Sequence, residues 1–161
     1  MNFEYVKKEL FKILDTEYRL YCELVEIFKK EQDALLNDDI KLLNTLIFQG
    51  EEKIHRIKFL EERRGELLKE GYPITKLGLF IERLSDEDEK EQFRNLRDKL
   101  LLKIDELRQL RDTNELIINK TLKFLRFYID LLSKESGFSV YGERGSLNFN
   151  KKLTNRLDEK V

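Results

Sequence analysis

The side chains able to do covalent or acid–base chemistry are few in this chain and poorly spaced for it. Cys22 is the single cysteine and His55 the single histidine. No histidine lies near Cys22 in sequence, so neither a Cys–His pair nor a Ser-His-Asp arrangement can be built. The two together are also too few for a transition-metal site. The densest acidic run, Asp86-Glu87-Asp88-Glu89, lacks the ligand spacing and glycine turn of a calcium loop. Carboxylates in a first helical turn stabilise a helix start, and that is the reading taken here. Gly142-Glu143-Arg144-Gly145 has neither the preceding strand nor the following helix of a phosphate loop. The remaining carboxylates alternate with Lys and Arg, as in solvated i, i+4 pairs on helix surfaces. The inventory points away from an enzyme and implies no cofactor and no metal.

What the chain does have is helix. Between Ser85 and Ser136 there is no proline and no glycine, and apolar residues recur at alternating steps of three and four. Phe93, Leu96, Leu100, Leu107, Leu110, Ile117, Phe124, Tyr128 and Leu131 form one seam, with Lys103, Asn114 and Thr121 as its polar members. Such a helix, about 86–135, spans roughly 75 Å. A first helix is expected over about 2–36, with a seam of Phe3, Val6, Leu10, Ile13, Leu20, Leu24 and Ile27 broken once, at Glu17. Leu14, Tyr18, Tyr21, Val25 and Phe28 widen that seam into a face suited to two neighbours. Asn37-Asp38-Asp39 marks a tight turn, and a second helix over about 39–70 carries Ile40, Leu43, Leu46, Ile47, Ile54, Ile57, Leu60, Leu67 and Leu68. Gly50 and Gly65 each mark either a bend in it or a close helix approach.

Gly71-Tyr72-Pro73 ends that helix. A short helix over about 75–84 follows, with Thr75 as its cap and Leu77, Phe80, Ile81 and Leu84 on one stripe. Ser85, with Asp88 three residues on, is the expected cap of the long helix. From Gly137 the composition turns to glycine, serine and asparagine, so 137–161 reads as a flexible tail. The expected fold is all-α: an elongated antiparallel helical bundle of three long helices and one short one, a single domain over 1–136.

Composition agrees. Charged residues make up 39% of the 161 positions and the net charge is −1, a coiled-coil profile without the basic surplus of a nucleic-acid binder. No apolar run is long enough for membrane insertion, and the opening MNFEYVKKEL lacks the pattern of a signal peptide, so a cytoplasmic location is expected. The end of the long helix is apolar around most of its circumference. A helix of that kind must be covered on several sides. The two shorter helices span only about 50 Å, so part of the long one overhangs. Two readings stand side by side: a satisfied core, or a surface for a helical segment of another protein. The candidate contacts are Ile117, Ile118, Leu122, Phe124, Leu125, Tyr128 and Leu132.

The stretch LLNDDIKLLNTLIFQGEEKIHRIKFLEERRGELL resembles the FlgN-like flagellar export chaperones. The likeness rests on a restart at an acidic residue, spaced leucines, and a Leu-Glu-x-x-Arg segment at Leu60, Glu61 and Arg64. A long last helix with an asparagine-bearing seam at Asn114, and a Tyr-Gly-x-x-Gly tail at Tyr141, Gly142 and Gly145, complete it over roughly residues 5–150. The resemblance implies a bacterial cytosolic chaperone of type III flagellar export. Such a chaperone would bind helical C-terminal segments of the hook-associated proteins of the hook–filament junction. It would prevent their premature assembly and deliver them to the export gate without hydrolysing ATP. Carried over from the tail motif, Tyr141 is the candidate for docking to the gate. The filament-cap chaperones are a related but shorter class that usually lacks this tail. The competing reading is a coiled-coil scaffold or adaptor that forms a homodimer through the same seam, with Lys103 and Asn114 fixing register.

Overall fold

The computed structural model describes residues 3–71 and 76–136. Helices α1 (Phe3–Leu36), α2 (Ile40–Gly71) and α4 (Glu87–Ser136) are long, α3 (Leu77–Glu82) is short, and no strand occurs among the described residues. The fold is the all-α elongated bundle anticipated above.

α1 is the central element. Its seam and the flanking positions are buried together, including Val6, Leu10, Leu14, Leu20, Leu24 and Val25, and both other long helices pack along it. Contacts between α2 and α4 are sparse by comparison. The wide apolar face of α1 therefore serves two neighbours, as its sequence requires.

The α1–α2 turn is closed by backbone bonds. Asp39 N–H donates to Ala34 O at 2.9 Å and Asp38 N–H to Leu35 O at 3.5 Å, the paired bonds of a Schellman cap. Asp38 occupies its left-handed position with φ of 56°, a place usually given to glycine because a Cβ is strained there. Asp39 then caps α2, its Oδ1 accepting the Leu42 N–H at 3.0 Å. Reversal at this turn makes α2 antiparallel to α1. Lys53 meets Glu23 at 2.6 Å and Arg64 meets Glu17 at 2.8 Å.

α2 runs unbroken through both of its internal glycines, Gly50 and Gly65. Gly50 is buried, and a Cβ there would sit 3.7 Å from Ile27 and Leu24 of α1, so it marks a close approach; at Gly65 nothing lies within 4 Å. At the opposite end from the turn, α3 plugs the bundle with Leu77, Phe80 and Ile81, and Leu84 just beyond it is buried too. The Phe80 ring lies 6.0 Å from Phe3 and 5.7 Å from Phe93. The expected cap Thr75 lies outside the described residues, and the residue preceding α3 is Lys76, which makes no side-chain capping bond.

α4 starts beside the start of α1 and runs parallel to it. Asp86, not Ser85, is its cap: Asp86 Oδ1 accepts the Asp88 N–H at 2.8 Å and the Glu89 N–H at 3.3 Å. Asp is as strong a cap as Ser and adds a charge suited to the dipole, which decides between adjacent candidates. Glu89 binds Lys7 at 2.7 Å, Phe93 meets Phe11 edge-on at 5.3 Å, and Asn114 Nδ2 donates to Phe28 O at 3.0 Å. The first two pairs are offset by 82 and the third, nearer the end of α1, by 86 (114 − 28), which places Leu36, the last residue of α1, opposite the turn from Ile118 to Leu122.

Candidate protein-binding surface

Two places in this bundle hold polar or apolar groups where simple packing would not put them. One is the inside of the α1–α2 interface. Glu17, the break in the α1 seam, is 1% exposed and accepts a hydrogen bond from Arg64 Nη1 at 2.8 Å; Arg64 is itself 2% exposed. Glu61 is buried beside them and accepts the Tyr21 hydroxyl at 3.4 Å. Burial lifts the Glu17 carboxyl to about 7, with Arg64 opposing the rise and Glu61 adding to it. The second oxygen of Glu17, Oε1, is buried without a hydrogen-bond partner among the described residues. Burial, reinforced by the Glu61 charge, likewise pushes the Tyr21 hydroxyl up, so it stays a proton donor. This cluster is closed to solvent and has the character of an interhelical lock rather than a site of reaction.

The other place is the end of α4. Buried positions follow one another along this helix from Phe93 through Leu96, Leu100, Ile104 and Leu107 to Asn114, and stop there. Beyond it Ile117 and Leu122 are half-buried, while Ile118, Phe124, Leu125, Tyr128 and Leu132 are exposed, Phe124 at 60% and Leu132 at 61%. Leu116, Phe127, Ile129 and Leu131 are exposed as well. The Phe124 and Tyr128 rings lie 4.8 Å apart and Phe127 meets Tyr128 edge-on at 6.4 Å. With aromatic side chains of about 200 Å² each, these three rings alone leave roughly 300 Å² of apolar surface in water. That already approaches the largest patch an ordinary monomer shows.

All seven candidate contacts from the sequence thus fall on one continuous surface, while Tyr141 lies outside the described residues. The surface is a ridge: a single helix projecting past the α1–α2 turn. Phe127, Ile129 and Leu131 belong to it as much as the seven do. All three stand in the apolar run of the sequence, Leu131 on its seam, although they are not among the seven candidate contacts. Leu116 carried no periodic signal.

Neither place offers catalytic machinery. Among the described residues no group of three or more His, Cys, Asp and Glu could hold a metal ion, and no helix is long and apolar enough to cross a membrane. His55 is exposed and Cys22 half-buried. The acidic run at the start of α4 is spent on the cap and on Lys7.

The family profile described as FlgN protein matches residues 1–148. The chain belongs to the FlgN family. Membership makes it a flagellar export chaperone by family, and that class is not enzymatic. No curated protein and no solved structure matches it. The FlgN assignment gives the Leu-Glu-x-x-Arg segment a physical meaning in this chain: Glu61 and Arg64 are the α2 half of the buried lock, and Leu60 packs against the core beside them.

Proposed function

We propose that this FlgN-family chain is a cytosolic chaperone that holds the C-terminal helical segments of hook-associated proteins on the exposed end of α4. Covering those segments prevents premature assembly of the hook–filament junction, and the loaded chaperone delivers them to the export gate. One observation carries the reading: α4 outlasts its only extensive partner, α1, and is most apolar where it does so. An amphipathic helix laid on that ridge would be covered, and would cover it in turn. Coupled folding of a segment that is disordered when free gives binding that can be reversed at the gate. Tyr141, five residues past Ser136, is proposed as the gate contact, since an aromatic ring can anchor a tail in a pocket.

Calorimetric titration with C-terminal segments of the two hook-associated proteins tests this. The expected result is saturable one-to-one binding with a negative heat-capacity change. The double substitution Phe124→Glu with Tyr128→Glu is expected to abolish it while leaving helicity intact, because both residues are at least half exposed. A folded chain that binds neither segment refutes the reading. A tight, concentration-independent dimer without client affinity would put the scaffold in its place. Tyr141→Ala is expected to weaken gate binding and export but not client binding.

A further inference from the structure

The exposed end of α4 carries two seams, not one. Ile117, Thr121, Phe124, Tyr128 and Leu131 follow each other at steps of four, three, four and three. Ile118, Leu122, Leu125, Ile129 and Leu132 repeat the same steps one residue later. At 100° per residue the apolar arc from Phe127 round to Leu122 covers about 220°. A helix that meets a single neighbour needs one seam, and a core-facing surface helix an arc of about 100°.

Inside the bundle the second line is mostly polar. There it reads Arg97, Leu101, Ile104, Arg108, Arg111 and Glu115, of which only Ile104 is buried. It becomes wholly apolar from Ile118, in the turn opposite the last residue of α1. The doubling therefore begins where the chain's own packing ends, and it serves something beyond the bundle.

The rest of the circumference is basic. From Ile117 to Ser136 the charged residues are Lys120, Lys123, Arg126, Asp130, Lys134 and Glu135, a net of +2 (four cations less two anions) in a chain whose net charge is −1, and all but Lys120 and Glu135 lie outside the apolar arc. None of those four cations is ion-paired among the described residues, whereas Lys103, Arg108 and Arg111 further back all are. Two copies of this ridge would bring like charges together. Acidic segments would not.

Resting on the chaperone reading above, we propose that the client covers the end of α4 with two helical segments, one on each seam, bearing acidic residues along their outer edges. A ridge of about 220° is closed by two helices and left half in water by one. Each segment would be some fifteen to twenty residues long to match the five turns from Ile118 to Ser136.

Separate substitutions on the two seams test this with the full-length chain and the C-terminal region of the hook-associated protein that binds it. Phe124→Glu and Leu125→Glu are both at exposed positions, so circular dichroism is expected to show unchanged helicity. Each alone is expected to weaken binding at least tenfold, and the two together to abolish it. Reversing charge at Lys120, Lys123 and Arg126 together should weaken binding at least tenfold at low salt, with the difference shrinking as salt is raised. If one seam's variant binds within twofold of the unmodified chain, the client is a single helix: the two-segment inference fails while the chaperone reading stands. A charge reversal without effect removes the acidic-edge part. Light scattering that shows a dimer lost on Phe124→Glu makes the occupant a second copy. Absence of binding by the unmodified chain overturns this inference and the chaperone reading together.

Discussion

Replacing Arg64 by methionine keeps the volume of its stem and removes the only cation shown to bind Glu17. The lost attraction is large. Two unit charges 2.8 Å apart interact by about 6 kcal/mol at an effective dielectric of 20. The measurable loss is smaller, because the orphaned carboxyl can take up a proton instead of remaining a buried anion. With Glu17 already lifted to about 7 in the intact protein, removal of Arg64 raises it further. Near pH 5 the carboxyl is then neutral in both proteins, and the variant loses a hydrogen bond worth about 1 kcal/mol. Near pH 8 the carboxyl of the intact protein is mostly ionised against Arg64 while that of the variant stays protonated, which adds about 1.4 kcal/mol for the one pH unit above 7 and brings the loss to about 2–2.5 kcal/mol. Urea unfolding followed by circular dichroism at both pH values measures this. Adding Glu17→Leu to Arg64→Met should recover most of the loss near pH 8, since a well-packed apolar pair commonly matches a buried ion pair. Glu61 remains in the same pocket, so recovery falls short of complete. A loss that is the same at both pH values, or below about 1 kcal/mol near pH 8, would sink the argument.

Other substitutions and conditions follow from the same structure. Burial lifts Glu31 to about 7, as it does Glu17. The native state therefore holds protons between about pH 4.5 and 7 that the unfolded chain releases, and stability falls as pH rises through that window by at most about 1.4 kcal/mol per unit for each group. Glu17→Gln should roughly halve the slope in a pH series of urea midpoints. Asp38→Gly relieves a left-handed residue at a helix cap and should raise stability by about 1 kcal/mol, read as a higher urea midpoint. Gly65→Ala meets open space within a continuous helix and should gain a similar amount; a loss there would mean that α2 is distorted at this point. Asn114 leaves its buried Oδ1 unpaired among the described residues while Nδ2 donates to Phe28 O. Asn114→Leu should stabilise by about 1 kcal/mol while loosening the α1–α4 register, visible as faster hydrogen exchange at the α4 amides near Asn114.

Much of this architecture is legible in the sequence because helical periodicity is a strong signal in a chain with one proline. The overhang itself follows from arithmetic on helix lengths. Glu17 was legible only as a defect. A glutamate in a seam says that something unusual faces it, but its partner lies forty-seven residues away on another helix, and no local pattern names Arg64. The parallel course of α1 and α4 was less legible, since it depends on α3 staying at the end to which α2 returns the chain. The cap at Asp86 in place of Ser85 is a one-residue choice between neighbours of almost equal capping strength. The seven candidate contacts on α4 were legible as an excess of apolar residues. Whether they were core or surface depended on where α1 stops, and the register from Lys7–Glu89 and Phe11–Phe93 supplies that.

The overhang also sets an upper working temperature distinct from the melting point. From Ile118 to Ser136 α4 runs about five turns with little of its surface packed, and a helix of that length is marginal in water on its own. Its β-branched Ile117, Ile118, Thr121 and Ile129 are indifferent helix formers, and the Thr121 and Ser133 hydroxyls bond back to the backbone carbonyls of Ile117 and Asp130. These turns borrow their helicity from the packed part of α4, so on heating they fray from the C-terminal end while the bundle behind them is still intact. On the proposed reading, binding is lost before the bundle melts, and a partner seated on the ridge would postpone that loss.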